Sequence, residues 1–409
     1  MNNSFYCISI EPFVYTDVKN ETALLLNTYS KNSYIINDEA TVQIISKIKK
    51  SKRQCIIITQ QEYEKCCKGI TMLVKRNLIS FLQLKKPAET IPFQFKDNVY
   101  FVKDFWGFSS DAGFALYHTS DLLNELMQIN IYLSSSCGAD CKKCSVIAKQ
   151  SLYCYSEKQQ KHLSIESFKK IIHIASSTNC KINLLGGDIT NHPNINEVLS
   201  LIASIPSKQF YIYLNSILID RFCKITNTIP DNIRFVLLCN DIKEYLKIIV
   251  SIPNSLSQKI DEYKVLIFSK EELSLANKQK SNKTTFTPIY IGTNSDFFEE
   301  NIYLTYNDFK RINITISQIL FNKKFNSYNY GIIYMFPDGT IKSGFSTIPL
   351  GNISEGLENI LWKEMKRKDG WMKIRNEKPC CNCVYQYICP PPSNYESIIG
   401  KPNLCTIKP

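Results

Sequence analysis

ELMQINIYLSSSCGADCKKC, residues Glu125–Cys144, sets a strand against three closely spaced thiols. Glu125–Leu133 reads as the strand, and Cys137, Cys141 and Cys144 follow it as C-x3-C-x2-C. Three thiolates on one tight loop can hold three irons of a cubane cluster and leave the fourth iron open to another ligand.

The chain repeats the strand pattern onward from there. Apolar strand candidates are Lys181–Leu185, Gln209–Asn215, Arg234–Cys239, Tyr263–Ser269 and Thr287–Gly292. Amphipathic helices fall between them. Ser164 is placed to cap one whose buried stripe is Ile165, Phe168, Ile171, Ile172 and Ala175, and others are expected over Ile195–Ala203 and Asp241–Val250. Six strands with intervening helices imply a parallel sheet, open or curved. The expected fold class is α/β, a partial (βα)6 barrel over 91–299. Ligands in such folds sit at the carboxyl ends of the strands. Gly186-Gly187-Asp188 lies at that end of the second strand, 42 residues past Cys144, and taken alone reads as a tight turn.

The flanks differ. Ser4–Tyr15 and Thr22–Ile36 read as a hairpin turning at Lys19-Asn20, followed by a helix Glu39–Lys50 capped by Asp38. A second helix is expected from Gln61 to Leu84, with Gly69 as a break, and Lys85–Ile91 (KKPAETI) as a linker. That order suits a winged-helix-like domain over 1–90. Residues 300–409 hold a hairpin, Tyr330–Lys342, turning at Pro337-Asp338-Gly339, then a helix near Ile360–Arg367.

Sixteen cysteines occur in the chain, nine of them in two groups at 137–154 and 380–405. A large chain without a recognisable export signal is a poor disulfide scaffold, so clustered thiols read as metal or iron–sulfur ligands. Cys180, Cys223 and Cys239 lie in apolar stretches and read as core packing. In the second group Cys380, Cys383, Cys389 and Cys405 form C-x2-C-x5-C-x15-C, with Cys381 as a neighbour thiol.

The three-cysteine loop after the first strand, with Gly-Gly-Asp after the second, resembles the radical S-adenosylmethionine superfamily. The second group, with the FPDGTIK hairpin and Gly351-Asn352-Ile353, resembles the SPASM domain of peptide-modifying members. The string CCNCVYQYICPPPSNYE…GKPNLC, with Lys149, Gln150 and Cys154, is similar to the pseudo-radical-SAM proteins of Bacteroidales double-glycine-leader peptide systems. The resemblance implies two [4Fe-4S] clusters, one in the barrel on Cys137, Cys141 and Cys144 and one auxiliary on Cys380, Cys383, Cys389 and Cys405. It implies S-adenosyl-L-methionine on Gly186, Gly187 and Asp188. Two glycines let the backbone approach closely, and their carbonyls with one carboxylate satisfy an ammonium. A further auxiliary cluster is not expected, because its thiol positions fall on Gly344 and Ser393.

The implied activity is modification of a ribosomally made precursor peptide by radical chemistry in the cytoplasm. The expected partners are that peptide, its leader on the N-terminal domain, and a partner maturase or reductant protein. The alternative is a catalytically degenerate scaffold that presents the peptide to another enzyme. Two departures from the pattern are Lys143, where an aromatic residue usually precedes the third cysteine, and the lack of a GxIxGxxE-like motif after the fifth strand. Cys154 is either a bystander or a fourth ligand that closes the first site as a capped cluster or a structural zinc.

Lys and Arg number 49 against 37 Asp and Glu, a formal +12. Most of that excess reads as solvated surface, with an acidic peptide as the sharper reading. No nucleic-acid fingerprint accompanies it. No apolar run reaches 18 residues, so no membrane partner is expected. The four His are dispersed, His192 being the one placed to line the cofactor mouth, and Trp106, Trp362 and Trp371 read as packing.

Overall fold

The computed structural model describes residues 4–51, 54–84, 119–139, 141, 144–151, 153–155, 157, 159–226, 228–279, 281–344 and 348–407. The expected linker 85–91, Trp106, His118 and Lys143 lie outside the described residues.

Among the described residues the N-terminal unit holds six strands and two helices. The strands are β1 (Phe5–Ile10), β2 (Val14–Lys19), β3 (Thr22–Asn27), β4 (Ser33–Ile36), β5 (Cys55–Thr59) and β6 (Ile79–Leu84). They form two antiparallel sheets, β5-β1-β6 and β2-β3-β4. The β2–β3 hairpin turns at Lys19-Asn20 as expected, with Asn20 at φ 50°. The long first strand does not form. The chain breaks after Ile10, so β1 and β2 join different sheets. Asp38 caps the helix Glu39–Lys50 by accepting from Thr41 N at 2.9 Å, an interaction worth about 1 kcal/mol.

The helix expected over 61–84 ends sooner, at Gln60–Lys75, and β6 follows it. Gly69 does not break it. A Cβ there would collide with Thr41, so the glycine lets the two helices approach closely.

The centre is one large sheet. Its parallel strands are β7 (Gln128–Ser134), β8 (Lys181–Gly186), β9 (Phe210–Asn215), β10 (Ile233–Cys239), β11 (Ile260–Ile267) and β12 (Thr284–Pro288). They lie side by side in chain order. Beyond β7, on its other edge, stand β13 (Ile332–Met335), β14 (Thr340–Lys342) and β15 (Gly351–Asn352). β13 runs parallel to β7, and β14 and β15 are antiparallel additions. The sheet therefore crosses the expected boundary at residue 299. Among the described residues no pairing joins β12 to β15, so the architecture is a mixed α/β fold with an open nine-stranded sheet.

The two faces of the sheet differ, because strand side chains alternate. Ile129, Ile131, Leu133, Ile182, Leu184, Ile212, Leu214, Phe235 and Leu237 pack into one core with the helices Ile165–Ser176 and Ile195–Ala203. Ser164 caps the first of these from Oγ to Ser167 N at 3.1 Å. The other face carries Tyr132, Leu185, Tyr213, Val236 and Tyr334. Helices on one face and strands in chain order follow from right-handed crossovers that always step the same way.

The N-terminal unit does not stand apart. Tyr15, Leu24 and Leu26, on the outer face of β2-β3-β4, pack on Phe309, Ile314, Ile319, Val384, Tyr385 and Ile388. Among the described residues no helix is long and apolar enough to cross a membrane.

Candidate functional site

The loop after β7 and the turn after β8 meet at the carboxyl edge of the sheet. Asp188 N donates to Ser136 O at 3.0 Å, Gly187 N to Ser134 O at 3.4 Å, and Asn191 Nδ2 to Ser136 Oγ at 3.1 Å. The glycines are required by these approaches. A Cβ on Gly187 would stand 2.5 Å from Cys137 Cβ and 3.1 Å from Tyr155 O. One on Gly186 would stand 3.0 Å from Ser134 O. Gly186-Gly187-Asp188 thus touches the loop of the first thiol set, and what the glycines admit is the chain's own backbone.

The thiols of the first set share one neighbourhood. Burial pushes the Cys154 thiol up strongly, and Cys141, Cys144 and Cys137 push it the same way. Burial also raises Cys137, to which Cys144 and Asp188 add and which Arg221 opposes. Asn215 Nδ2, from the end of β9, donates to Cys141 Sγ at 3.4 Å and to Asn240 Oδ1 at 3.1 Å. Cys144 opens the helix Cys144–Ser151. Cys154 is near enough for the charges of Cys141, Cys144 and Cys137 to act on it, and it packs against the Ile147 cluster.

Asp188 is wholly buried. Its Oδ2 accepts from Arg221 Nη1 at 2.8 Å. Its Oδ1 accepts from Thr190 N at 3.0 Å and from the Thr190 hydroxyl. Arg221 Nη2 also reaches Asn191 Oδ1 at 2.7 Å. Arg221 was not legible as a site residue, because a lone arginine 33 residues past Asp188 carries no spacing signal.

The segment after the first thiols fills much of the sheet's open face. Ile147 packs with Leu238, Leu266 and Ile289, and Cys154 lies against that cluster. Tyr153 stacks on Tyr213 with ring centroids 5.1 Å apart, under the Lys264 ammonium at 4.9 Å. Tyr155 meets Tyr132 at 5.3 Å and Phe336 at 4.9 Å. Gln150 exchanges two hydrogen bonds of 2.7 Å with the Tyr290 backbone, just beyond β12. A cavity of about 450 Å³ remains near the start of β7, lined in part by Gln128, Asn130, Tyr153 and Tyr334.

The second thiol set is likewise drawn together. Burial pushes Cys389 up to about 12, with Cys380 and Cys405 adding and Arg375 opposing. Burial raises Cys383 too, and Cys380 and Cys405 add to it. Arg375 Nη1 stands 4.0 Å from Cys380 Sγ. Cys381 turns to Asn382 Oδ1 at 3.6 Å. Ser393, at one of the positions expected to lack a thiol, caps the helix Asn394–Ile399 and bonds Glu396 Oε2 at 2.6 Å. Arg375 Nη2 bonds Glu396 Oε1, also at 2.6 Å, and both residues are buried.

Among the described residues no group of three or more His, Cys, Asp or Glu is arranged to hold a metal ion. The donor type, thiols, suits iron, with an amide donor at Cys141 and a guanidinium near Cys380.

Two expectations are corrected. His192 is a core residue. Its Nε2 bonds Leu163 O at 2.8 Å and its Nδ1 accepts from Asn194 N at 3.2 Å, while burial lowers its pKa. Cys223 is exposed and is not core packing. The helix Ile219–Ile225 buries Ile219 and Phe222, and one residue further around the turn faces solvent. Cys180 and Cys239 are buried as expected, and Trp371 is fully buried with Nε1 on Ile332 O at 2.8 Å.

No protein-family model and no curated protein matches the chain. Among solved structures it is similar to SuiB of Streptococcus suis. SuiB bound to S-adenosylmethionine aligns at 12% identity and TM-score 0.40, over 98% of this chain and 99% of that one. SuiB alone aligns at 12% and 0.44, over 98% and 100%. SuiB bound to its precursor peptide SuiA aligns at 12% and 0.44, over 98% and 99%. At these scores the likeness assigns no activity to this chain.

Proposed function

We propose that this chain is an iron–sulfur protein that modifies a ribosomally made precursor peptide by radical S-adenosylmethionine chemistry. The observation that carries the reading is the contact between Cys137 and Gly187 at the carboxyl ends of β7 and β8. It sets a three-thiol loop beside a turn bearing a buried carboxylate, at the edge where ligands sit in parallel sheets.

Cys137, Cys141 and Cys144 would hold one cluster, and Cys380, Cys383, Cys389 and Cys405 an auxiliary one. The clusters supply one-electron chemistry when bound. The methionine moiety of the cofactor is a zwitterion, and Asp188 with Arg221 offers one charge for each of its ends. Asp188 would take the ammonium and Arg221 the carboxylate. The side chains on the open face, Tyr132, Tyr153, Tyr155 and Tyr213, exclude water. The N-terminal unit, read as a winged-helix-like module, would receive the leader as a strand added to a sheet edge.

The second reading is a catalytically degenerate scaffold that presents the peptide to a partner enzyme. Three observations favour it: both Asp188 oxygens are engaged within the chain, Cys154 is near enough to feel the first thiols' charges, and Ile147, Tyr153 and Tyr155 crowd the open face.

Anaerobic reconstitution separates the two. An enzyme binds about eight irons and releases 5′-deoxyadenosine from S-adenosylmethionine with dithionite. A scaffold releases none, however many irons it holds.

A further inference from the structure

We propose that the cysteine-rich C-terminal region carries a binding groove for an acidic peptide segment, separate from the thiol loop at the sheet edge. A cavity of about 870 Å³ opens between the end of the helix Ile316–Asn322, the stretch 368–377, and the helix Asn394–Ile399 with the residues after it. Its walls hold Lys323, Lys324, Lys368, Lys373 and Lys401. Three carboxylates share the lining, and arginines already engage two of them. Arg375 holds Glu396 at 2.6 Å inside the wall, and Arg367 holds Asp369 from outside it. Glu377 is the remaining acid. Of the five lysines, Lys323 lies over the Tyr15 and Tyr387 rings, at 5.4 Å and 5.8 Å. Lys401 gives part of its charge to Glu299, at 3.5 Å.

The rest of the lining decides the class of partner. Met372, Ile374, Pro392 and Pro402 give apolar floor, and none of the described residues lining the cavity is aromatic. Sites for single-stranded nucleic acid rely on aromatic platforms for the bases, and this groove offers none. A cationic groove with an aliphatic floor matches a short extended peptide with carboxylates on one edge and an apolar residue between them. The volume lies in the range of ligand sites. Cys380 lines the same cavity, so an acidic peptide seated there covers one member of the second thiol set. The net +12 of the chain favours encounter with such a partner.

The test uses the full chain and a fluorescein-labelled peptide of alternating glutamate and leucine, read by anisotropy, with the glutamine-leucine peptide as control. Binding is expected at low salt, at least tenfold weaker for the glutamine peptide. It should also weaken at least tenfold in Lys324→Glu/Lys373→Glu. It should weaken in Lys324→Gln/Lys373→Gln, which removes charge without reversing it, and stay unchanged in Lys243→Glu/Lys247→Glu on the helix Ile242–Ser251. No binding of the glutamate peptide by the wild type overturns the proposal. So does binding that the groove variants leave intact, or that a single-stranded oligonucleotide displaces more strongly than unlabelled peptide. None of these readouts requires iron or S-adenosylmethionine, so failure here is distinguishable from failure of the radical-chemistry reading.

Discussion

Arg221 Nη1 stands 2.8 Å from Asp188 Oδ2, and the carboxylate is wholly buried while the arginine side chain is 45% exposed. The pair is asymmetric: Asp188 depends on Arg221 more than the reverse. Arg221→Met is expected to destabilise the fold by about 1–2 kcal/mol. That is below the cost of breaking a fully buried pair, because water screens one partner. Adding Asp188→Asn should recover part of the loss by removing the orphaned charge. Urea denaturation of the two variants measures this, and a double variant less stable than Arg221→Met alone counts against it.

The same pair sets a binding expectation. If Asp188 and Arg221 receive a zwitterion, Asp188→Asn and Arg221→Met each weaken S-adenosylmethionine binding at least tenfold by calorimetry on the reconstituted protein. If the pair is a permanent closure, the wild type shows no binding heat and neither variant changes that. A wild type that binds tightly, with both variants equal to it, removes these residues from the site.

Glu364 gives a pH dependence. It is buried, its Oε1 accepts from Trp371 N at 2.5 Å, and burial pushes its carboxyl above the ordinary 4.5. A carboxyl with a raised folded pKa contributes stability below the unfolded pKa and loses it as pH rises through the folded value. Glu364→Gln should therefore gain stability relative to the wild type between pH 5 and pH 8. Denaturation midpoints at the two pH values decide it, and a relative loss toward pH 8 refutes the assignment.

Much of the central sheet was legible because its signals are local. Strand alternation and the cap at Ser164 need only neighbouring residues, and the helix Ile195–Ala203 begins and ends where its apolar period does. What escaped depends on distant pairing. β13 adds to the edge of β7 from 200 residues away, and nothing in YGIIYMF specifies that neighbour. Arg221, Arg375 and Glu396 are single charges whose partners only the fold supplies. The break after Ile10 is an exception: Glu11-Pro12 marks it locally, since proline interrupts a strand, and a single strand over Ser4–Tyr15 passes over that signal.

Arg375 and Glu396 are both buried, and Arg375 also binds the carbonyls of Pro390, Pro391 and Pro402. These bonds gather the chain around Cys380 and Cys389. Arg375→Met strands a buried carboxylate and three carbonyls, so a loss of about 3–5 kcal/mol is expected. If the two thiol sets hold iron as proposed, iron on the second should fall with it, while iron on the first stays. Equal loss from both sets would show that Arg375 supports the whole fold and not this region.

Tyr15, Leu24 and Leu26 seal the N-terminal unit against Phe309, Val384, Tyr385 and Ile388. Leu24 is fully buried and Leu26 is 2% exposed. A free-standing leader-binding module could be removed without consequence for the rest, but this packing says otherwise. Deleting residues 1–90 uncovers an apolar face next to Cys383 and Cys389. The truncated chain is expected to bind a hydrophobic dye, to aggregate more readily than the full chain, and to lose iron from the second set. Leu24→Ala tests the same contact without removing peptide-binding surface. It should cost about 2–5 kcal/mol and leave affinity for a leader peptide within twofold. If the truncated chain stays monomeric with its second-set iron intact, the contact is incidental and the N-terminal unit is an appendage.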